Sequence, residues 1–83
     1  MVECFLPRGR STELAEVALR LSAAAGSGAS AADSARYLRS AYVPEDEICF
    51  HIFEAETVEA VREASLKAFV AFDRILEAEE CRP

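Results

Sequence analysis

Arg36 to Ala55 reads Arg-Tyr-Leu-Arg-Ser-Ala-Tyr-Val-Pro-Glu-Asp-Glu-Ile-Cys-Phe-His-Ile-Phe-Glu-Ala, two β-branched or aromatic runs joined by a proline-led acidic turn. This pattern predicts a β-hairpin. Tyr37 to Val43 forms the first arm and Ile48 to Glu54 the second, with Pro44 where a turn favours a residue whose φ is already fixed. The rest of the chain then reads as the covering of this hairpin, which in isolation is at best marginal in water.

Before the hairpin, Val2 to Leu6 is a short apolar run stopped by Pro7-Arg8-Gly9, and it predicts a first strand. Ser11 or Thr12 then offers an N-cap, and Leu14, Val17, Ala18 and Leu21 recur at the spacing that gathers one buried helical stripe. From Ala23 to Ala35 the composition falls to Ala, Ser and Gly with one Asp, the pattern of a flexible connection. After the hairpin, Thr57 is a second N-cap candidate. Val58, Val61, Ala64 or Ser65, and Ala68 form a second stripe. Asp73 marks a turn, and Arg74 to Glu80 alternates as a last strand. The predicted order is strand, helix, strand, strand, helix, strand. That is an α+β, ferredoxin-like βαββαβ domain over residues 1–83, with two helices on one face of a four-stranded antiparallel sheet.

Composition narrows the function classes. Nine Lys and Arg against fifteen Asp and Glu leave a net charge of -6, which opposes a non-specific hold on nucleic acid or on anionic membrane surfaces. The amino terminus has an acid where a secretory signal needs a base, and no apolar run is long enough to span a bilayer, so a cytoplasmic location is expected. Cys4, Cys49 and Cys81 are widely spaced with no Cys-x-x-Cys pair, and they read as free thiols.

Arg36-Tyr37-Leu38, Tyr42-Val43-Pro44-Glu45-Asp46-Glu47, Cys49-Phe50-His51-Ile52-Phe53-Glu54-Ala55, Glu59-Ala60-Val61-Arg62-Glu63-Ala64 and Phe72-Asp73-Arg74-Ile75-Leu76-Glu77-Ala78 together resemble one family. It is the small bacterial family of ferredoxin-like domains of unknown function that includes a nickel-binding protein. The resemblance implies the same fold, with nickel or another divalent metal as a ligand. Members often carry a histidine inside the second helix and close it with Ala-Gly, whereas this chain has Phe69 where that glycine is expected. Since a bulky side chain disfavours the left-handed conformation of such a cap, the helix is expected to end differently or to run on. His51 stands where relatives often have cysteine.

Strand alternation suggests the site. With Val2, Cys4 and Leu6 toward the helices, Glu3 and Phe5 fall on the open face of the sheet. With Ile48, Phe50 and Ile52 also toward the helices, Cys49, His51 and Phe53 join them there, followed by Tyr37, Arg39, Glu77 and Glu79. His51, Glu3, Cys49 and Glu77 are then candidate metal ligands, offering imidazole, carboxylate and thiolate to a borderline ion such as nickel or zinc. Phe5, Tyr37, Arg39 and Phe53 are candidate ligand contacts. Phe5, Tyr37, Phe53 and Ile75 would form an apolar patch needing a partner, and a second copy stacked sheet to sheet, as in a dimeric α+β barrel, covers it. Cys4 is expected to be an inert core thiol and Cys81 an exposed one, while Cys49 takes its reactivity from His51. Arg8 and Arg10, like Glu45 to Glu47, read as solvated loop charges.

No catalytic set is identifiable. The leading expectation is a small non-catalytic protein that binds a metal ion or small ligand near His51, as a homodimer. A structural docking module without a metal and a dimeric-barrel enzyme are the alternatives.

Overall fold

The computed structural model describes residues 1–25 and 35–78. These residues form β1 (Val2–Phe5), a 3₁₀ segment (Arg8–Glu13), α1 (Leu14–Ala24), β2 (Ala35–Val43), β3 (Ile48–Ala55), α2 (Val58–Lys67) and β4 (Arg74–Ile75). The strands make one antiparallel sheet in the order β2-β3-β1-β4, which is the ferredoxin-like arrangement expected from the sequence. The predicted connection between Ala23 and Ala35 falls largely outside the described residues, as do Glu79 and Cys81.

The hairpin forms as predicted and gains a residue or two at its open end. Its tip is a four-residue loop from Pro44 to Glu47, in which the Glu47 N–H donates to the Pro44 carbonyl (3.3 Å) and Glu47 takes a φ of 55°. Glu47 also anchors the chain leaving β1. Its carbonyl accepts from the Leu6 N–H (2.7 Å) and its Oε2 from the Arg8 N–H (2.8 Å).

Both helices depart from expectation at one end. Neither Ser11 nor Thr12 caps α1. The chain already winds as 3₁₀ helix from Arg8, so the residue before α1, Glu13, is itself helical, and no side chain caps the helix. Thr57 does cap α2, its Oγ1 accepting from the Ala60 N–H (3.2 Å). At the other end α2 closes in a Schellman motif with Phe69 itself in the left-handed region, at a φ of 57°. The Val70 N–H bonds to the Ser65 carbonyl and the Phe69 N–H to the Leu66 carbonyl, both at 3.0 Å. The two backbone bonds hold a side chain where glycine would be unstrained, which corrects the expectation that Phe69 forces another ending.

Strand β4 is shorter than predicted. Only Arg74 and Ile75 pair with β1, flanked by bonds from the Asp73 N–H to the Glu3 carbonyl (2.8 Å) and from the Leu76 N–H to the Met1 carbonyl (2.7 Å), and Glu77 and Ala78 are exposed.

The core lies between the sheet and the helices, where Val2, Cys4, Cys49 and Ala35 pack with Leu21, Ala24, Ala60, Val61 and Ala64. The predicted stripes of both helices supply it, Leu14 and Val17 from α1 at its margin. The faces of β3 are the reverse of those predicted. Pairing Val2 with His51 and Cys4 with Cys49 puts these four side chains on one side, and all four are buried. Cys49, His51 and Phe53 therefore face the helices, and Ile48, Phe50 and Ile52 the open side. Both faces of β3 are apolar enough to pass as core, so alternation alone does not choose between them; register with β1 does.

A bulge makes the second correction. The β2–β3 register shifts between Tyr37 and Arg39, leaving Leu38 as the extra residue. Tyr37 opposite Phe53 and Ser40 opposite His51 thereby share the helix-facing side, while Arg39 opposite Ile52 stays on the open side. Strict alternation would keep Tyr37 with Arg39. Ile75, paired with Val2, also belongs to the helix side.

Candidate functional site

The bulge at Leu38 brings three polar groups into line beneath the helices. The Tyr37 hydroxyl lies 2.6 Å from Ser40 Oγ, which lies 2.7 Å from His51 Nδ1. Each hydroxyl both donates and accepts, so the chain runs in either direction and the ring proton can sit on either nitrogen. His51 is 2 % exposed, and burial pushes its pKa down to about 4, so at neutral pH the imidazole is uncharged. Edge-on contact between Tyr37 and Phe53, 5.5 Å between ring centres, braces the outer end of this chain.

Beside the imidazole lies Cys49 Sγ, 3.7 Å from Nε2 and 3.9 Å from Nδ1. Cys4 stands directly across the strands from Cys49, and both are free thiols. Burial, and then the neighbouring Cys49, push the Cys4 pKa up to about 12, and burial raises that of Cys49 to about 11. The three groups are thus neutral together near pH 7.

They form the floor of a cavity of about 220 Å³ between β1, β3 and α1. Leu14, Val17 and Arg20, three apart on α1, supply one wall, and Phe69, Val70 and Ala71 the other. Arg20 ties the two walls: its Nε donates to the Ala68 carbonyl at the end of α2 (3.0 Å) and its Nη1 pairs with Glu16 (3.1 Å). A cation there also complements the negative end of the α2 dipole. At the rim Arg10 and Glu13 form a two-bond ion pair at 2.7 and 2.9 Å. Phe69, 88 % exposed, stands at the mouth.

The predicted site residues meet only in part. Cys49, His51 and the predicted contact Phe5 line this cavity, while Glu3 lies on the opposite face of the sheet, paired with Arg74 at 2.9 Å. Glu77 lines a second hollow with Arg39 and Phe53, beside β4 and the start of α2. Among the described residues no three His, Cys, Asp or Glu side chains converge on a point where an ion could be held. Of the predicted ligand contacts, Phe5 alone is a large exposed apolar side chain of the open face, whereas Tyr37 and Phe53 pack against the core. Nothing in the sequence marks Ser40, because a bulge leaves no trace in a run such as Tyr-Leu-Arg-Ser. Alternation places Cys4 in the core, but only the register pairs it with Cys49.

Among the described residues no helix is long and apolar enough to cross a membrane. Compared with family models, with curated proteins and with solved structures, the chain matches none of them.

Proposed function

We propose that the protein is a small non-catalytic binding protein, whose ligand is a compact, largely apolar molecule with one hydrogen-bonding group, seated between β1, β3 and α1. The observation that carries this reading is Phe69. An exposed aromatic side chain at a left-handed backbone position costs about 1–2 kcal/mol that glycine would not. Such strain is characteristic of functional positions. Phe69 stands at the cavity mouth and His51 on its floor, so an apolar body and one polar group both find partners.

Phenol and indole are suitable probes, each an aromatic ring with one hydrogen-bond donor. Titration followed by amide and imidazole NMR should shift the signals of His51, Val17 and Phe69 and leave those of Ile52 and Arg39 in place. Shifts confined to the open face, or none at all, would overturn the reading.

A second reading concerns assembly. The open face carries Phe5, 62 % exposed, and Val43, with Ile48, Phe50 and Ile52 half-buried beside them. Its charges are Arg36, Arg39 and Arg74 against Glu3 and Glu54, a near-neutral patch on an acidic molecule. A second copy of the chain, stacked sheet to sheet, fits that chemistry. The nickel expected from the resemblance draws no support from a set in which only Cys49 and His51 stand together, with Glu3 on the other face and Glu77 in another hollow.

A further inference from the structure

We infer that Cys4 and Cys49 together form a two-thiolate site for a soft monovalent metal ion of the copper(I) class on the floor of this cavity. The inference rests on reading the cavity as the binding site. It adds a ligand chemistry that neither phenol nor nickel represents.

Register is the first support. The Leu6 N–H bonds to the Glu47 carbonyl two residues along from the cysteine pair. By the alternation of an antiparallel ladder, Cys4 and Cys49 are then also a hydrogen-bonded pair, with Cα atoms about 5.5 Å apart. Facing strand residues keep their Cβ atoms about 4.5–5.5 Å apart. A disulfide needs them at about 3.8 Å, so a direct bond would strain the sheet. An ion between the sulfurs spans the wider gap without that closure.

Donor count is the second. His51 lies beside Cys49, but among the described residues no three His, Cys, Asp or Glu side chains converge on one point, so the four-coordinate site that zinc requires is not assembled. Two opposed thiolates suffice for a soft monovalent ion, which takes linear coordination and prefers sulfur. Hard ions keep their water and are poorly served by walls of Leu6, Leu14, Val17 and Val70. Arg20 on the wall offsets the negative charge of the loaded site.

Loading is a substitution, not a redox step. Each thiol releases its proton to solvent as its sulfur takes the ion, giving one anionic dithiolate complex and about two protons per ion, with no change in oxidation state.

The test uses the full chain carrying Cys81→Ser, so that only the paired thiols remain. Copper(I), held by a chromophoric chelator under anaerobic reducing conditions, is offered to this protein and to its Cys4→Ser and Cys49→Ser variants. The expected result is one ion withdrawn per chain, with either substitution weakening the hold by more than about 100-fold, beyond the loss typical of an outer-shell group. In parallel, silver(I) should protect Cys4 and Cys49 together from alkylation in the unsubstituted pair, a readout that does not depend on a variant folding. No withdrawal of copper, or protection of one cysteine without the other, overturns the inference. Phenol titration of the same samples separates the two readings: shifts at His51 without copper uptake sink the ion site alone, and loss of both sinks the cavity.

Discussion

At the scale of single residues, His51 sets how the protein responds to pH. The fold holds the imidazole neutral, with its pKa near 4, while the unfolded chain takes up a proton near pH 6.5. Between these values the unfolded state binds more protons, so stability is complete above about pH 6.5, falls as the pH drops toward 4, and falls no further on this account below it. The slope in that window is at most about 1.4 kcal/mol per pH unit, a large share of the 5–10 kcal/mol or so available to a chain of this length. Urea unfolding of the wild type and of His51→Gln at several pH values should show the difference between them narrowing from pH 7 to pH 4; parallel curves would mean that the histidine is not held neutral. The thiols act at the other extreme. Their raised pKa values mean that the folded state keeps protons which the unfolded chain releases near pH 9, so stability falls again as the pH rises through that range. Ser40 holds His51 in place through one hydrogen bond, and Ser40→Ala strands a buried ring nitrogen. A loss of about 1–3 kcal/mol in urea unfolding is the expected cost.

At the scale of the elements, the two ends of α2 make opposite predictions. Thr57→Ala removes the side-chain cap of α2 and should lower the unfolding free energy by about 1 kcal/mol. Phe69→Gly relieves a left-handed residue in an exposed position and should raise it by about 0.5–1 kcal/mol, while weakening phenol binding at the cavity mouth. A Phe69→Gly protein that is both more stable and equally good at binding would remove the reason for the strain. What the sequence made legible follows from the same physics. The hairpin, the Thr57 cap and the two helical stripes are local patterns, and each is where the residues put it. Which side of β3 is buried depends on pairing between residues 47 positions apart in the case of Phe50 and Glu3, and alternation in a strand with apolar residues on both faces carries no such information. One bulged residue, Leu38, then moved Tyr37 away from Arg39 and made the chain from Tyr37 to His51. Cys49 and His51 do share one side of the sheet, as residues two apart on a strand must, but it is the helix-facing side and not the open one expected.

At the scale of the whole molecule, the open sheet face and the net charge pull against each other. A charge of -6 on each copy opposes association, yet the open face itself is close to neutral, so the repulsion acts between more distant, solvent-exposed groups. Repulsion of that kind is screened within about 10 Å at 0.1 M salt, whereas apolar contact is not weakened by it. Raising the salt should therefore strengthen dimerisation, the opposite of an interface held by ion pairs. Sedimentation equilibrium at two salt concentrations measures this directly, with a larger dimer fraction expected at the higher. Phe50→Glu puts a charge among Phe5, Ile48 and Ile52 and should leave a monomer at both, with the far-ultraviolet spectrum unchanged because Phe50 lies on the face away from the helices. A wild-type chain that stays monomeric at high concentration and high salt, or a Phe50→Glu chain that still dimerises, would mean that this face is not where two copies meet. If both results come out as expected, each dimer keeps its two cavities on the outer sides of the paired sheets, so ligand binding at His51 and association through Phe50 should vary independently.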